Sequence, residues 1–164
     1  MLELIRSRRS VRKYTSEPIR DADIQAMLEA AMAAPSASNI KPWEFVVVRD
    51  RDLCRQLADT HPYSKMAADA AAVFVVCGRE SESRHWVEDT SAATQNLLLA
   101  AAGLGLGAVW VACYPNADRE GYVRQLLGLP DTLRVLCLVP AGHPAEVKSP
   151  RTQFDASRVH YDSY

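Results

Sequence analysis

Nine consecutive residues, Arg6 to Tyr14, hold four arginines, one lysine and two serines in a chain whose formal net charge is only −1. Such a cluster repels itself unless an anion or a set of carboxylates sits among it. A guanidinium offers paired N–H donors in a fixed plane that matches phosphate. Ser7 and Ser10 add hydroxyl donors of the kind a phosphate oxygen accepts. The segment reads either as an anion site or as the solvated basic end of a helix, and its composition alone does not separate the two.

Other candidates for chemistry are weaker. Gly103, Gly105 and Gly107 have the spacing that opens a dinucleotide fingerprint. That fingerprint needs a strand before it and a helix after it, so that a pyrophosphate meets the helix N-terminus. Here a helical pattern precedes and a strand pattern follows, so the motif reads as a glycine turn. A pyridine nucleotide, if used, would have to come and go. Cys54, Cys77, Cys113 and Cys137 form no CxxC pair and no zinc spacing, and read as small buried hydrophobes in a reducing compartment. His61, His85, His143 and His160 are isolated and read as surface or capping groups.

The elements that must position the basic segment follow from periodicity. Residues 2–8 read as a short helix ending in it. Asp21 and Asp23 open a helix over about 22–33, with Ile24, Met27, Leu28 and Ala31 on one face and Pro35 beyond its end. Residues 34–42 form a loop of small and polar residues. Strands are predicted at 43–48, 73–77, 108–113 and 133–139, and helices at 51–59, 63–71, 83–103 and 118–127. Gly103 is expected to cap the long helix and Gly128 the last one. Val73 to Cys77 is apolar throughout, as in a strand buried on both faces. From Gly142 onward the chain turns polar and extended, so it frays or lies on another surface. The alternation suggests one domain over 1–164, a four-stranded central sheet with helices on both faces.

At 164 residues the chain can bury roughly 70% of its unfolded surface. Its 19 basic residues nearly balance 20 acidic ones, so no overall field favours nucleic acid or an anionic membrane. No apolar run reaches the ~18 residues needed to span a bilayer. A cytoplasmic protein is expected, with no nucleic-acid and no membrane partner.

Three segments in order resemble the nitroreductase family of FMN-dependent oxidoreductases: Arg8 to Tyr14, Ala33 to Trp43, and Ala102 to Trp110, with Gly142-His143-Pro144, Lys148 and Arg151 behind them. The resemblance runs from residue 1 to about 155 and is specific for the family, not for a substrate. It implies an α+β fold with a mostly antiparallel mixed sheet and helices on both faces. It also implies a homodimer with FMN at the subunit interface, residues 142–164 being an exchanged tail that extends the partner's sheet. The alanines of the long helix would then lie at a dimer seam, although by residue chemistry they fit an ordinary core as well.

By position, Arg8, Arg9, Ser10 and Arg12 match the family's phosphate and ribityl contacts, and Arg151, with Lys148 as its companion, matches a basic residue of the tail that also reaches the phosphate. Pro35, Ser36, Ala37, Ser38 and Asn39 match a loop laid along the flavin by the other subunit. Val109 and Trp110 fall where backbone meets the isoalloxazine, the Trp110 side chain reading equally as a core aromatic. Lys13, Lys41 or Arg12 would supply positive charge near N1. The resemblance implies ping-pong transfer from dissociable NADH or NADPH, through FMN, to a small oxidant such as a nitroaromatic or quinone, with no side chain assigned as acid or base. Dehalogenation or desaturation by a relative's chemistry stays open, as does an FMN-binding storage or sensing protein with little turnover. A basic helix docking on an acidic partner is the reading independent of any family. The chain lacks the insertion between strands two and three that builds a lid in larger members, so its site reads as open.

Overall fold

A strand without polar side chains must be covered on both faces, and β2 (Ala72–Gly78) is buried along its whole length. It pairs antiparallel with β1 (Trp43–Val48) on one side and with β5 (Arg134–Gly142) on the other. β3 (Gly107–Ala108) and β4 (Val111–Ala112) pair antiparallel with β5 as well. The sheet order is β1-β2-β5-β3, with β4 also on β5. The computed structural model describes residues 1–150 and 152–164. Arg151 lies outside the described residues.

Alternation along β2 divides the core. Phe74 and Val76 join Ile24, Met27 and Ala31 of α2 (Asp21–Met32) and Ala93, Leu97 and Ala101 of α4 (Trp86–Gly103). Val73, Val75 and Cys77 join Cys54 and Leu57 of α3 (Arg51–Leu57) and Val123 of α5 (Ala117–Leu127). Helices therefore cover both faces, each fully buried Val, Leu, Phe or Met contributing about 1.5–3 kcal/mol. On β5 the register slips between Val76↔Cys137 and Cys77↔Val135, leaving Leu136 as an extra residue. This bulge is why Leu136 and Cys137 fall in the same cluster despite being neighbours. All four cysteines are free and buried, and burial pushes the Cys77 and Cys113 thiols up to about 12.

Several predicted elements differ in the structure. Among the described residues there are five strands, because the expected strand 108–113 is broken at Val109 and Trp110. The cause is Pro140 opposite: Val109 N–H donates to its carbonyl at 3.2 Å, but Pro140 has no N–H to return the bond. The expected helix 63–71 is only a 3-10 turn, Lys65–Asp69, because Ala71 N–H must already join Ala141 on the sheet. The long helix starts at Trp86 instead of 83, since Ser83 spends its hydroxyl on local bonds to His85 N–H and Asp89. Gly103 does not cap it. The left-handed residue is Gly105 (φ 76°), with Leu106 N–H on Ala101 and Gly105 N–H on Ala102 in a Schellman closure. Gly128 (φ 63°) does end α5. Every ladder is antiparallel, the one parallel pairing being an isolated bridge, Ser10 to Ala108.

Candidate functional site

The basic segment follows α1 (Leu2–Ser7) and runs extended along the open side of β3. It approaches closely because β3 begins with a glycine: a Cβ on Gly107 would stand 2.5 Å from Val11 Cγ1. Val11 N–H donates to Ala108 O at 3.1 Å. Farther along, Tyr14 Oη reaches Val11 O at 2.7 Å and Pro140 O at 3.0 Å, and burial pushes its hydroxyl above the ordinary value.

The chain after Gly142 returns to the same place. Thr15 N–H donates to His143 O (2.9 Å) and Ala145 N–H to Lys13 O (2.8 Å). Lys148 Nζ donates to Ser10 O at 2.7 Å, and Arg9 Nη1 donates to Ser149 O. Residues 138 positions apart thus converge on one strip. Arg8, Arg9 and Lys148 line a depression with Ser7, Gly105 and Leu106. Its one carboxylate, Glu146, already accepts from Arg12 N–H (2.7 Å) and pairs with Lys148 (3.1 Å). The guanidinium groups of Arg8 and Arg9 have no carboxylate partner among the described residues, so the depression carries excess positive charge suited to an anion.

The Arg12 N–H, aided by the Lys148 ammonium, holds the Glu146 carboxyl below its ordinary value. A carboxyl lowered on folding adds stability that is complete above its unfolded value and is lost as pH falls through its folded one. Glu146→Gln is therefore expected to lower Tm at neutral pH, with the gap to the parent closing as pH drops below 4.5. Thermal melts at stepped pH check this, and a gap that persists in acid would place the effect elsewhere.

Arg12 faces a second depression, with His61, Tyr63 and the Val109–Ala112 segment. Val109 and Val111 turn their N–H and C=O toward β5, so those of Trp110 and Ala112 face away from it. Trp110 N–H has no partner among the described residues, while its half-buried side chain packs on the core. The tryptophan ring is core and its backbone is available. His61 and Tyr63 were not legible as site residues. A tight turn places them: buried Ser64 bonds Ala58 O (2.8 Å) and His61 O (2.6 Å), and Tyr63 N–H donates to His61 Nδ1 at 2.8 Å. Burial, then Arg119, lowers the His61 pKa, which favours its neutral form.

Pro35, Ser36, Ala37, Ser38 and Asn39 line neither depression. Ala37 N–H is tied to Asp89 near the start of α4, whereas Ala102 at its end borders the basic depression. Thirteen helical steps, from Asp89 to Ala102, separate those anchors by about 20 Å. Lys41, also expected near the cofactor, is on this loop, and Lys13 holds the tail through its carbonyl.

Comparison with known proteins gives the family and the fold. The family description "Nitroreductase family" matches residues 5–61 and 53–143. A protein of Methanothermobacter thermautotrophicus, provisionally named NADH dehydrogenase/NAD(P)H nitroreductase, is 41% identical over all of this chain and 87% of its own. A solved structure from Bacteroides thetaiotaomicron with the same provisional name has TM-score 0.97 and 44% identity, over 99% of this chain and 97% of that one. A provisionally named nitroreductase of Desulfovibrio desulfuricans, solved in complex with FMN, has TM-score 0.84 and 31% identity, over 99% and 96%.

Proposed function

The chain belongs to the nitroreductase family, and from that premise we propose that it is an FMN-dependent oxidoreductase drawing electrons from NADH or NADPH. The acceptor is a small oxidant of the nitroaromatic or quinone class. The observation that carries this reading is the convergence of Arg8, Arg9 and Lys148 from opposite ends of the chain on one depression with a surplus of positive charge. That donor set fits a dianionic phosphate.

Arg8, Arg9 and Lys148, with Arg151 from outside the described residues, would hold the phosphate, and Ser10 and Asn39 the ribityl hydroxyls. Arg12 and the free Trp110 N–H would meet the polar edge of the ring. When bound there, FMN would supply the redox chemistry between the nucleotide and the acceptor. The chain's own part is to bind, to orient and to keep the ring face open to two substrates in turn. No helix among the described residues is long and apolar enough to cross a membrane.

The proposed assembly is a homodimer. One chain cannot bring its 35–39 loop to its own basic depression across about 20 Å of helix. Two antiparallel α4 helices about a twofold axis would set the start of one beside the end of the other. The surface there is apolar: α1 buries nothing, Leu2 is 69% and Ile5 48% exposed, and Leu4, Leu99, Ala100 and Gly103 share a groove. Among the described residues β1 pairs only with β2, so its outer edge would receive the second subunit's tail. Phe154 and Tyr161 of that tail are 80% and 84% exposed in a single chain.

A visible spectrum of the purified protein, taken before and after anaerobic addition of NADH or NADPH, tests the reading. Flavin bands that bleach are expected. No flavin uptake after adding FMN would defeat it, and bands that neither nucleotide bleaches would leave only a flavin-binding protein.

A further inference from the structure

Asp89 is a carboxylate only 5% exposed whose two hydrogen-bond partners are uncharged. Ala37 N–H donates to Oδ1 at 2.8 Å, and Ser83 Oγ donates to Oδ2 at 3.1 Å. Burying a charge without a counterion is costly, and the first turn of α4 offsets only part of that through its dipole. What the carboxylate holds is itself strained. Ser38, Asn39 and Lys41 have φ of 50°, 56° and 56°, the left-handed region that favours glycine.

Further bonds close this loop on itself. Lys41 N–H donates to Ser36 Oγ (2.9 Å), Asn39 N–H to Ser36 O (3.0 Å) and Ile40 N–H to Ala37 O (3.1 Å). Ser38, Asn39, Ile40 and Lys41 nonetheless remain exposed. The loop thus buries little, yet three of its residues are left-handed and a buried carboxylate of α4 is tied to it.

We infer that Asp89 is a positioning residue. Its carboxylate sets the Ser36–Lys41 loop so that Ser38 and Asn39 meet an FMN held mainly by the other subunit, an inference that rests on the dimeric flavin site proposed above. The carboxylate acts through Ala37 N–H and never touches the cofactor. Any acceptor oxygen of the same reach should serve, whereas a side chain of equal size without one should release the loop.

The test is FMN affinity of the apo-dimer, read by quenching of flavin fluorescence well below the apo Tm. Asp89→Asn keeps an oxygen for Ala37 N–H, and its amide can donate to Ser83 Oγ, so it should bind within about threefold of the parent. Asp89→Leu keeps the volume and loses the acceptor, and should bind FMN at least about tenfold more weakly. A role in stability alone would lower the apo Tm without this loss or its recovery by asparagine. Leucine and parent binding equally would overturn the inference. Should the leucine protein not fold, Asp89→Ala, which removes the acceptor for Ala37 N–H without adding apolar bulk, decides: weaker binding supports the inference and unchanged binding overturns it. Arg8→Ala, measured alongside, keeps the two failures apart. If it weakens FMN while Asp89→Leu does not, the site stands and the role of Asp89 falls. If neither weakens it, the flavin site itself is misplaced.

Discussion

Replacing Arg8 and Arg12 together with alanine is expected to strip FMN from the protein, weakening binding by about a hundredfold to ten-thousandfold. The two losses are separate. Arg8 borders the depression that also holds Arg9 and Lys148, whereas Arg12 borders the one that also holds Trp110. A lost hydrogen bond to a charged group costs about 1.5–3 kcal/mol, and each 1.4 kcal/mol is tenfold in affinity. The fold should be nearly indifferent. Neither guanidinium bonds another described residue, and the segment is held by its backbone, through Val11 on Ala108 and Arg12 N–H on Glu146. The apo Tm should therefore stay close to the parent's, as for other substitutions away from the core. Flavin content after purification and titration of the apo-protein with FMN measure the effect. A double variant that keeps its flavin would remove the phosphate assignment.

The architecture was largely legible because the hydrophobic pattern is strong. The unbroken run Val73–Cys77 had to be an internal strand, and it lies between β1 and β5. The face of α2 carries the apolar residues that periodicity assigned to it, Ile24, Met27 and Ala31 buried and Leu28 packed against them. What escaped depends on groups outside the local window. The break at Val109 and Trp110 is caused by Pro140, thirty positions away, which cannot complete the pairing. The tail was legible only as a segment that frays or lies on another surface. That its first part lies on residues 9–15 of the same chain depends on Glu146 and Lys148 finding backbone groups of Arg12 and Ser10. The basic residues of the site carried a chemical signature in their own composition. His61 and Tyr63 carried none, because only the turn fixed by Ser64 brings them beside Arg12 and Trp110.

Ending the chain at Gly142 is expected to abolish the dimer at micromolar concentration and to lose FMN with it, the largest effect of any change considered. Two sets of contacts go. Within the chain, the bonds of His143, Ala145, Glu146 and Lys148 to the basic segment disappear, each worth about 1 kcal/mol net. In the proposed dimer, Phe154, Val159 and Tyr161 would no longer cover the neighbour. Each is exposed in one subunit and would contribute about 1.5–3 kcal/mol when buried, twice over in a twofold dimer. Ordering the tail offsets part of this gain, which leaves a rise of about a thousandfold or more in the dimer dissociation constant. The monomer should still fold, since β5 is complete at Gly142. Sedimentation equilibrium and flavin content read the two losses. A second cut separates them: a chain ending at Gln153 keeps Lys148 and Arg151 and loses only the last eleven residues. It should dissociate like the first, yet regain flavin as protein concentration is raised, because its half of the phosphate site is intact and only the second subunit is missing. The chain ending at Gly142 should not regain it at any concentration. Equal flavin binding by both truncated chains would mean that Lys148 and its neighbours do not hold the cofactor, and a tight flavin-loaded dimer in either would remove the exchanged tail.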